Sequence, residues 1–192
     1  MFEWSKPAEP QGFELPAQVM QAASVNIRVV PDQVKIKLQY RPEKSPDVAA
    51  MEAMVKTVFP ASNQPSADKA PTIFCTAPNE WLLVFDTQTS TAIEAAIHSS
   101  ELALADALTD ISDSLIAIEL NGKQTAALLA EGCGSDLQAD SFAAGHSITS
   151  SLFHCPVIIH CIEKHDCWHL YVDRSVVGYL CDWFDQDLGE SK

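Results

Sequence analysis

"CPVIIHCIEKHDCWHLYVD", residues 155–173, decides how this chain folds, because it supports two different readings. Counted as ligands, and with His154 just ahead of it, the stretch offers His154, Cys155, His160, Cys161, His165, Cys167 and His169. That density suggests a metal or redox site. Counted by period, it is two strands. Val157, Ile159 and Cys161 alternate with Ile158, His160 and Ile162, and Trp168, Leu170 and Val172 alternate with Cys167, His169 and Tyr171. Successive side chains of a strand point to opposite faces. The polar Glu163-Lys-His-Asp166 supplies a turn between them.

If Ile162 faces Cys167 across a hairpin, His160 faces His169 and Ile159 faces Leu170. One face then carries Val157, Ile159, Cys161, Trp168, Leu170 and Val172, which is a core face. The ligands are scattered. Cys161 points into the core, His165 lies in the turn, and His154 and Cys155 precede the hairpin. Only His160, Cys167 and His169 can share a surface, and tetrahedral zinc needs a further donor from elsewhere. No CxxC, no HExxH and no HxxxH on a helix is present. The period therefore predicts two half-exposed histidines on a face open to a partner, with no metal centre.

Outward from the hairpin, the same reading extends along the chain. Residues 147–153 form a further strand. Val176, Val177, Leu180, Trp183 and Phe184 recur at helical spacing, so a final helix begins near Ser175. Upstream, Thr109 to Leu120 reads as a strand, Asn121-Gly122 as a turn, and Lys123 to Ala130 as a short helix ended by Gly132. Thr72–Thr76 and Trp81–Phe85 are strands joined by Ala-Pro-Asn-Glu. Val34, Ile36, Leu38 and Tyr40 alternate with Lys35, Lys37 and Gln39, and Ser24 to Val30 is another strand. Ser45-Pro46-Asp47 caps a helix that stops before Pro60, and a second helix runs through Ile93, Ala96 and Ile97. Strands outnumber helices and hairpins are local. The expected fold is α+β, with mainly antiparallel sheets and packed helices. The expected organisation is an arm over 1–23, lobes over 24–105 and 106–188, and a tail over 189–192.

The chain has 192 residues, 47% of them apolar, which is ample for a sizeable core. Formal charge is −14. Residues 1–60 carry seven basic and seven acidic side chains, so the excess of nineteen acidic over five basic lies wholly in 61–192. Such a surface repels phosphate backbones and anionic lipids, and neither nucleic acid nor a membrane is an expected partner. The opening Met1–Pro7 lacks a secretory pattern and no apolar run spans a bilayer, so the expected compartment is the cytoplasm, with six reduced cysteines. The proline-rich arm carries Phe2, Trp4, Phe13 and Leu15. That much aromatic surface needs something to lie on, and these four residues are candidate partner contacts.

No catalytic constellation emerges. There is no G-x-S-x-G elbow and no P-loop, and Gly132-Cys133-Gly134 follows a helix where a dinucleotide loop would precede one. Asp106, Asp110 and Asp113 straddle a helix-to-strand transition and are not expected to converge. A well-patterned domain with an aromatic arm and no active site is expected to bind other subunits.

Several stretches, in order, resemble the gamma subunit of heterotetrameric sarcosine oxidase. They are "VNIR" (25–28), "VFPASNQPS" (58–66), "APNEWLLVF" (77–85), "LTDISDSLIAIELNGKQTAALLAEGCGSDL" (108–137) and "HLYVDRSVVGYLCDWF" (169–184). Ala77, Asn79 and Phe184 depart from that family's G-P-D-E-W-L-L and V-D-R-S…Y-L-x-D-W-L elements. The resemblance implies a fold like the folate-binding domain of the aminomethyltransferase of glycine cleavage. It implies a complex that demethylates sarcosine oxidatively to glycine and hydrogen peroxide, with the methyl carbon passed to tetrahydrofolate or released as formaldehyde. It implies partners named alpha, beta and delta, which carry FAD, FMN, NAD, tetrahydrofolate and zinc, and a gamma chain with no catalytic or cofactor-binding residue. Two alternatives stand beside it: a gamma-type subunit of a related N-methyl amino acid dehydrogenase, and a free-standing folate-binding protein. The second is disfavoured by the few basic residues after position 60, which are Lys69, Lys123, Lys164, Arg174 and Lys192.

Overall fold

The computed structural model describes residues 18–21, 25–39, 72–86, 107–137, 142–163 and 166–190. The arm residues Phe2, Trp4, Phe13 and Leu15 lie outside them, as do the helices expected over 46–59 and 90–97, and His165. The described elements are β1 (Gln18–Gln21), β2 (Asn26–Val29), β3 (Gln33–Gln39), β4 (Thr72–Ala77), β5 (Glu80–Asp86), β6 (Ala107–Asp110), β7 (Leu115–Asn121), α1 (Thr125–Gly132), β8 (Ser147–Leu152), β9 (Cys155–Glu163), β10 (Cys167–Asp173) and, after a short 3-10 turn, α2 (Val177–Glu190).

The hairpin forms in the expected register. His169 pairs with His160, Leu170 with Ile159 and Val172 with Val157. Cys167, however, pairs with Glu163 and not Ile162, because the ladder slips by one residue next to Trp168. A bulge of this kind leaves one residue unopposed and re-aims its neighbours. Strand β10 also pairs along its whole length with β7, so it lies inside an antiparallel six-stranded sheet of order β1-β2-β7-β10-β9-β8. A second antiparallel sheet has the order β4-β5-β3-β6. Each sheet draws strands from both sides of residue 105: β2 joins β7 in one, and β3 joins β6 in the other.

Both faces of the larger sheet are covered. On one face Trp168, Leu170 and Val172 join Ile118, Leu120, Val157, Ile159 and Cys161 under α1 and α2, which contribute Leu128, Leu129, Val177, Leu180 and Phe184. Phe142 stacks parallel on Trp168, with ring centres 5.7 Å apart. On the other face, Ala117 and Tyr171 meet Phe74, Leu82 and Val84 of the smaller sheet. Phe74 stands between the two layers, 5.1 Å from the rings of both His160 and Tyr171. The polar face expected to remain open to a partner is therefore an internal seam between two sheets, and His160 is only 6% exposed.

The same seam changes the reading of β3. Lys35, which alternates with the apolar Val34, Ile36 and Leu38, is itself buried, because it pairs with Val84 on the side that packs against the larger sheet. Its ammonium donates to the Gln33 carbonyl at 3.2 Å. The strand expected over 109–120 is in fact two, β6 and β7, one in each sheet. The Asp110 carboxylate accepts from the Ser112 amide (2.9 Å) and hydroxyl (2.6 Å), and Leu115 donates to the Ile111 carbonyl (2.9 Å). This side-chain turn breaks the strand and carries the chain from one layer to the other.

Phe74→Ala removes the ring that fills the seam. We expect it to cost about 3–5 kcal/mol in urea unfolding and to move the His160 imidazole pKa upward toward the free value, read by NMR titration.

Candidate functional site

Among the described residues, one group of ionisable side chains gathers where β2, β7 and β10 lie side by side. Register puts Arg28 opposite Glu119 and Glu119 opposite His169. Arg28 donates from Nε and Nη2 to the two Glu119 oxygens, at 2.7 and 3.0 Å. His169 Nε2 lies 3.3 Å from Glu119 Oε2. The donor atoms of Glu119, Cys167 and His169 all fall within 4.8 Å of one another. Of the three candidate ligands, Cys167 and His169 thus come together, while His160 turns into the seam under Phe74. Glu119 was missed because it lies 48 residues upstream of Cys167 and joins the group only through the β7–β10 pairing.

The chemistry of the cluster opposes a metal. Arg28's guanidinium engages both Glu119 oxygens, and its hydrogen bonds hold the Glu119 carboxyl below its usual range, against the effect of burial. Burial lowers the His169 pKa, so the ring is neutral at pH 7. An ionised carboxylate only accepts, which places the imidazole proton on Nε2, the atom a metal would need. Burial, and then the Glu119 charge, push the Cys167 thiol up to about 11, far from a ligating or nucleophilic thiolate. Three donors held in these states by a bidentate arginine do not fit a bound ion. They form a hydrogen-bonded ion pair across three strands.

Other sequence candidates disperse in the same way. Cys133 is buried and bridges to Leu152, with Sγ 3.5 Å from the Ser150 hydroxyl. All six cysteines are free thiols, and burial raises those of Cys75, Cys155 and Cys181. Asp110 serves its turn, held below the usual carboxylate range by the Ser112 hydroxyl and amide. Among the described residues no helix is long and apolar enough to cross a membrane.

The model of the sarcosine oxidase gamma subunit family matches residues 47–190 of the chain. The chain belongs to the sarcosine oxidase gamma subunit family. A chain of the heterotetrameric sarcosine oxidase from Corynebacterium sp. U-96, solved in complex with pyrrole 2-carboxylate, superposes with a TM-score of 0.74 at 22% identity, over 91% of this chain and 88% of that one. The glycine cleavage system aminomethyltransferase T from Bartonella henselae superposes with a TM-score of 0.57 at 12% identity, over 86% of this chain and 46% of that one. At these identities the likeness is one of fold, and it bears out the α+β, aminomethyltransferase-like architecture expected from the sequence. No curated protein matches in direct sequence comparison.

In this gamma-family chain the most distinctive element, Val172-Asp-Arg-Ser175, is spent on structure. Asp173 ends β10 and accepts from the Ser175 amide (2.8 Å) and hydroxyl (2.6 Å), capping the 3-10 turn ahead of α2. Arg174 donates from its backbone amide to the Ser114 carbonyl (2.7 Å) and from Nε to the Asp113 carbonyl (2.6 Å), pinning the turn before β7.

The histidines predict a pH dependence. Burial lowers the His160 pKa to about 4, and His169 also lies below its ordinary 6.5. The unfolded chain therefore binds more protons than the folded one between these values, and stability is lost as pH falls from about 6.5 toward about 4. His160 alone contributes a slope approaching about 1.4 kcal/mol per pH unit. Urea midpoints measured from pH 7 to 5 should fall accordingly, and His160→Leu should flatten the curve.

Proposed function

We propose that this chain is a non-catalytic gamma subunit of a heterotetrameric, sarcosine-oxidase-type flavoenzyme in the cytoplasm. Its role is structural: it stabilises the large subunit. The complex oxidatively demethylates sarcosine to glycine with release of hydrogen peroxide, and the methyl carbon passes to tetrahydrofolate or leaves as formaldehyde. FAD, FMN, NAD, tetrahydrofolate and zinc belong to its alpha, beta and delta partners. The family match over residues 47–190 carries this reading.

The state of the chain's own polar groups supports it. A general base or nucleophile needs a proton affinity matched to neutral pH and access to substrate. Here His160 is closed off between sheets, Cys167 is held as a thiol and Glu119 is clamped by Arg28. The space between the sheets is filled by Phe74, Leu82, Val84 and Tyr171, where a folate-binding relative would need a cavity. The arm residues Phe2, Trp4, Phe13 and Leu15 are proposed as partner contacts.

Co-expression with the large and small flavin-bearing chains tests the reading. The full chain should co-elute with them, and a chain lacking residues 1–16 should assemble at least tenfold more weakly. Alone, it should turn over no sarcosine and give no calorimetric signal with tetrahydrofolate. Folate binding, or failure to associate with the flavoprotein chains, would overturn the proposal.

A further inference from the structure

Asn121-Gly122, which the sequence marks as a turn, carries a chemistry of its own that the fold does not use. It is the one Asn-Gly step in the chain; Asn26, Asn63 and Asn79 precede Ile, Gln and Glu. Glycine has no side chain to shield its amide nitrogen, so an asparagine before glycine is the step most prone to cyclise on its own backbone. The fold also requires this glycine. Gly122 has a φ of 142°, a conformation that L side chains rarely adopt, so the step cannot lose its glycine without strain.

Asn121 sits where the reaction has room. It is the last residue of β7, and it pairs with Asn26 of β2 and Cys167 of β10, each the first residue of its own strand. It is exposed, and nothing among the described residues hydrogen-bonds its carboxamide. One bond stands in the way. The Gly122 amide donates to the Asp166 carbonyl at 2.7 Å, and the Asp166 amide donates to the Glu163 carbonyl at 3.1 Å. Extended backbone at Asn121 also keeps the Gly122 nitrogen away from the side chain. Attack therefore waits for this row to open, and the end row of a sheet opens more readily than its middle.

The surroundings decide what the product does. Across the sheet the row reads Gln21, Asn26, Asn121, Cys167 and Glu163, with no cation in it. The next row on the same face is Arg28, Glu119 and His169, where Arg28 already engages both Glu119 oxygens. A carboxylate at 121 thus enters between Glu119 and Glu163 with no free counter-charge in its row.

We infer that Asn121 is a site of spontaneous deamidation, held in check by the Gly122–Asp166 hydrogen bond, and that its product loosens the β2–β7–β10 end of the larger sheet. The Gly122 nitrogen, its proton lost to solvent base, attacks Asn121 Cγ. A C–N bond forms to close the imide, and the side-chain nitrogen takes up a proton and leaves as ammonia. Water then opens the ring at either carbonyl, giving aspartate or isoaspartate. One water is consumed, one ammonia is released, and nothing is oxidised or reduced. Aspartate adds a like charge beside Glu119. Isoaspartate adds a main-chain carbon as well, which breaks register with both neighbouring strands. The reaction needs no partner, so it stands apart from the subunit proposal.

The test incubates the full chain, folded and in urea, at pH 7 and pH 8, and follows it by peptide mass spectrometry. In the folded chain the Asn121 peptide should show the mass gain of amide-to-acid conversion before Asn26, Asn63 or Asn79 does, with isoaspartate among the products. The rate should rise in proportion to hydroxide, and the unfolded chain should react at least about tenfold faster, the worth of the Gly122–Asp166 bond. Asn121→Gln should stop the conversion and leave the thermal midpoint in place. Asn121→Asp, which installs the product, should unfold about 2–4 °C lower. If Asn121 stays intact in the folded chain after the unfolded chain has converted, or reacts no faster than the other three asparagines, the site is overturned. Equal rates folded and unfolded would overturn the role of the Asp166 bond, and equal midpoints for Asn121→Gln and Asn121→Asp would overturn the loosening.

Discussion

The pairing of β10 on both its edges governs the rest of the molecule. Strand β10 is bonded to β9 on one side and to β7 on the other, so every residue from Trp168 to Val172 has neighbours in both directions. Its period-two alternation then commits two layers at once. Trp168, Leu170 and Val172 go under the helices, and Tyr171 goes to the smaller sheet. A slip of one residue would exchange those two sets. Burial of Trp168 at 0% exposure, with the parallel ring of Phe142 against it, makes such a slip costly.

Much of this was legible in residues 153–173, because strand alternation is a local signal and the hairpin partners are close in sequence. The His160–His169 pairing and the core face followed directly. The limits have physical causes. Alternation distinguishes two faces but cannot say that the second is covered as well, so it does not show that a second sheet buries both Lys35 and His160. The Asp110-x-Ser112 turn sits inside a branched, strand-like run, and only its side-chain hydrogen bonds reveal the break. Glu119 joins Cys167 and His169 through a long-range pairing that no spacing announces. The final helix was legible because its apolar stripe, Val176, Val177, Leu180, Trp183 and Phe184, is a local signal.

The fold's polar side chains are spent on holding the chain together. Arg28 neutralises Glu119, Glu119 orients His169, Asp173 caps the turn into α2 and Arg174 pins the loop before β7. The Cys167 thiol stays protonated and the His160 and His169 rings neutral because burial penalises their charged forms. Residues 61–192 carry the acidic excess. For a member of the sarcosine oxidase gamma subunit family, this arrangement supports the proposal that the chain serves its complex by contact and not by chemistry.

The most direct measurement is turnover per flavin in the assembled complex when the Glu119–Cys167–His169 cluster is disarmed. Glu119→Gln, Cys167→Ser and His169→Gln, combined in this chain alone, remove every acid, thiol and imidazole of the site. If the chain contributes no chemistry, complexes that assemble normally should oxidise sarcosine at an unchanged rate per flavin. A loss of a hundredfold or more in intact complexes, on the scale of a missing general acid or base, would contradict the account.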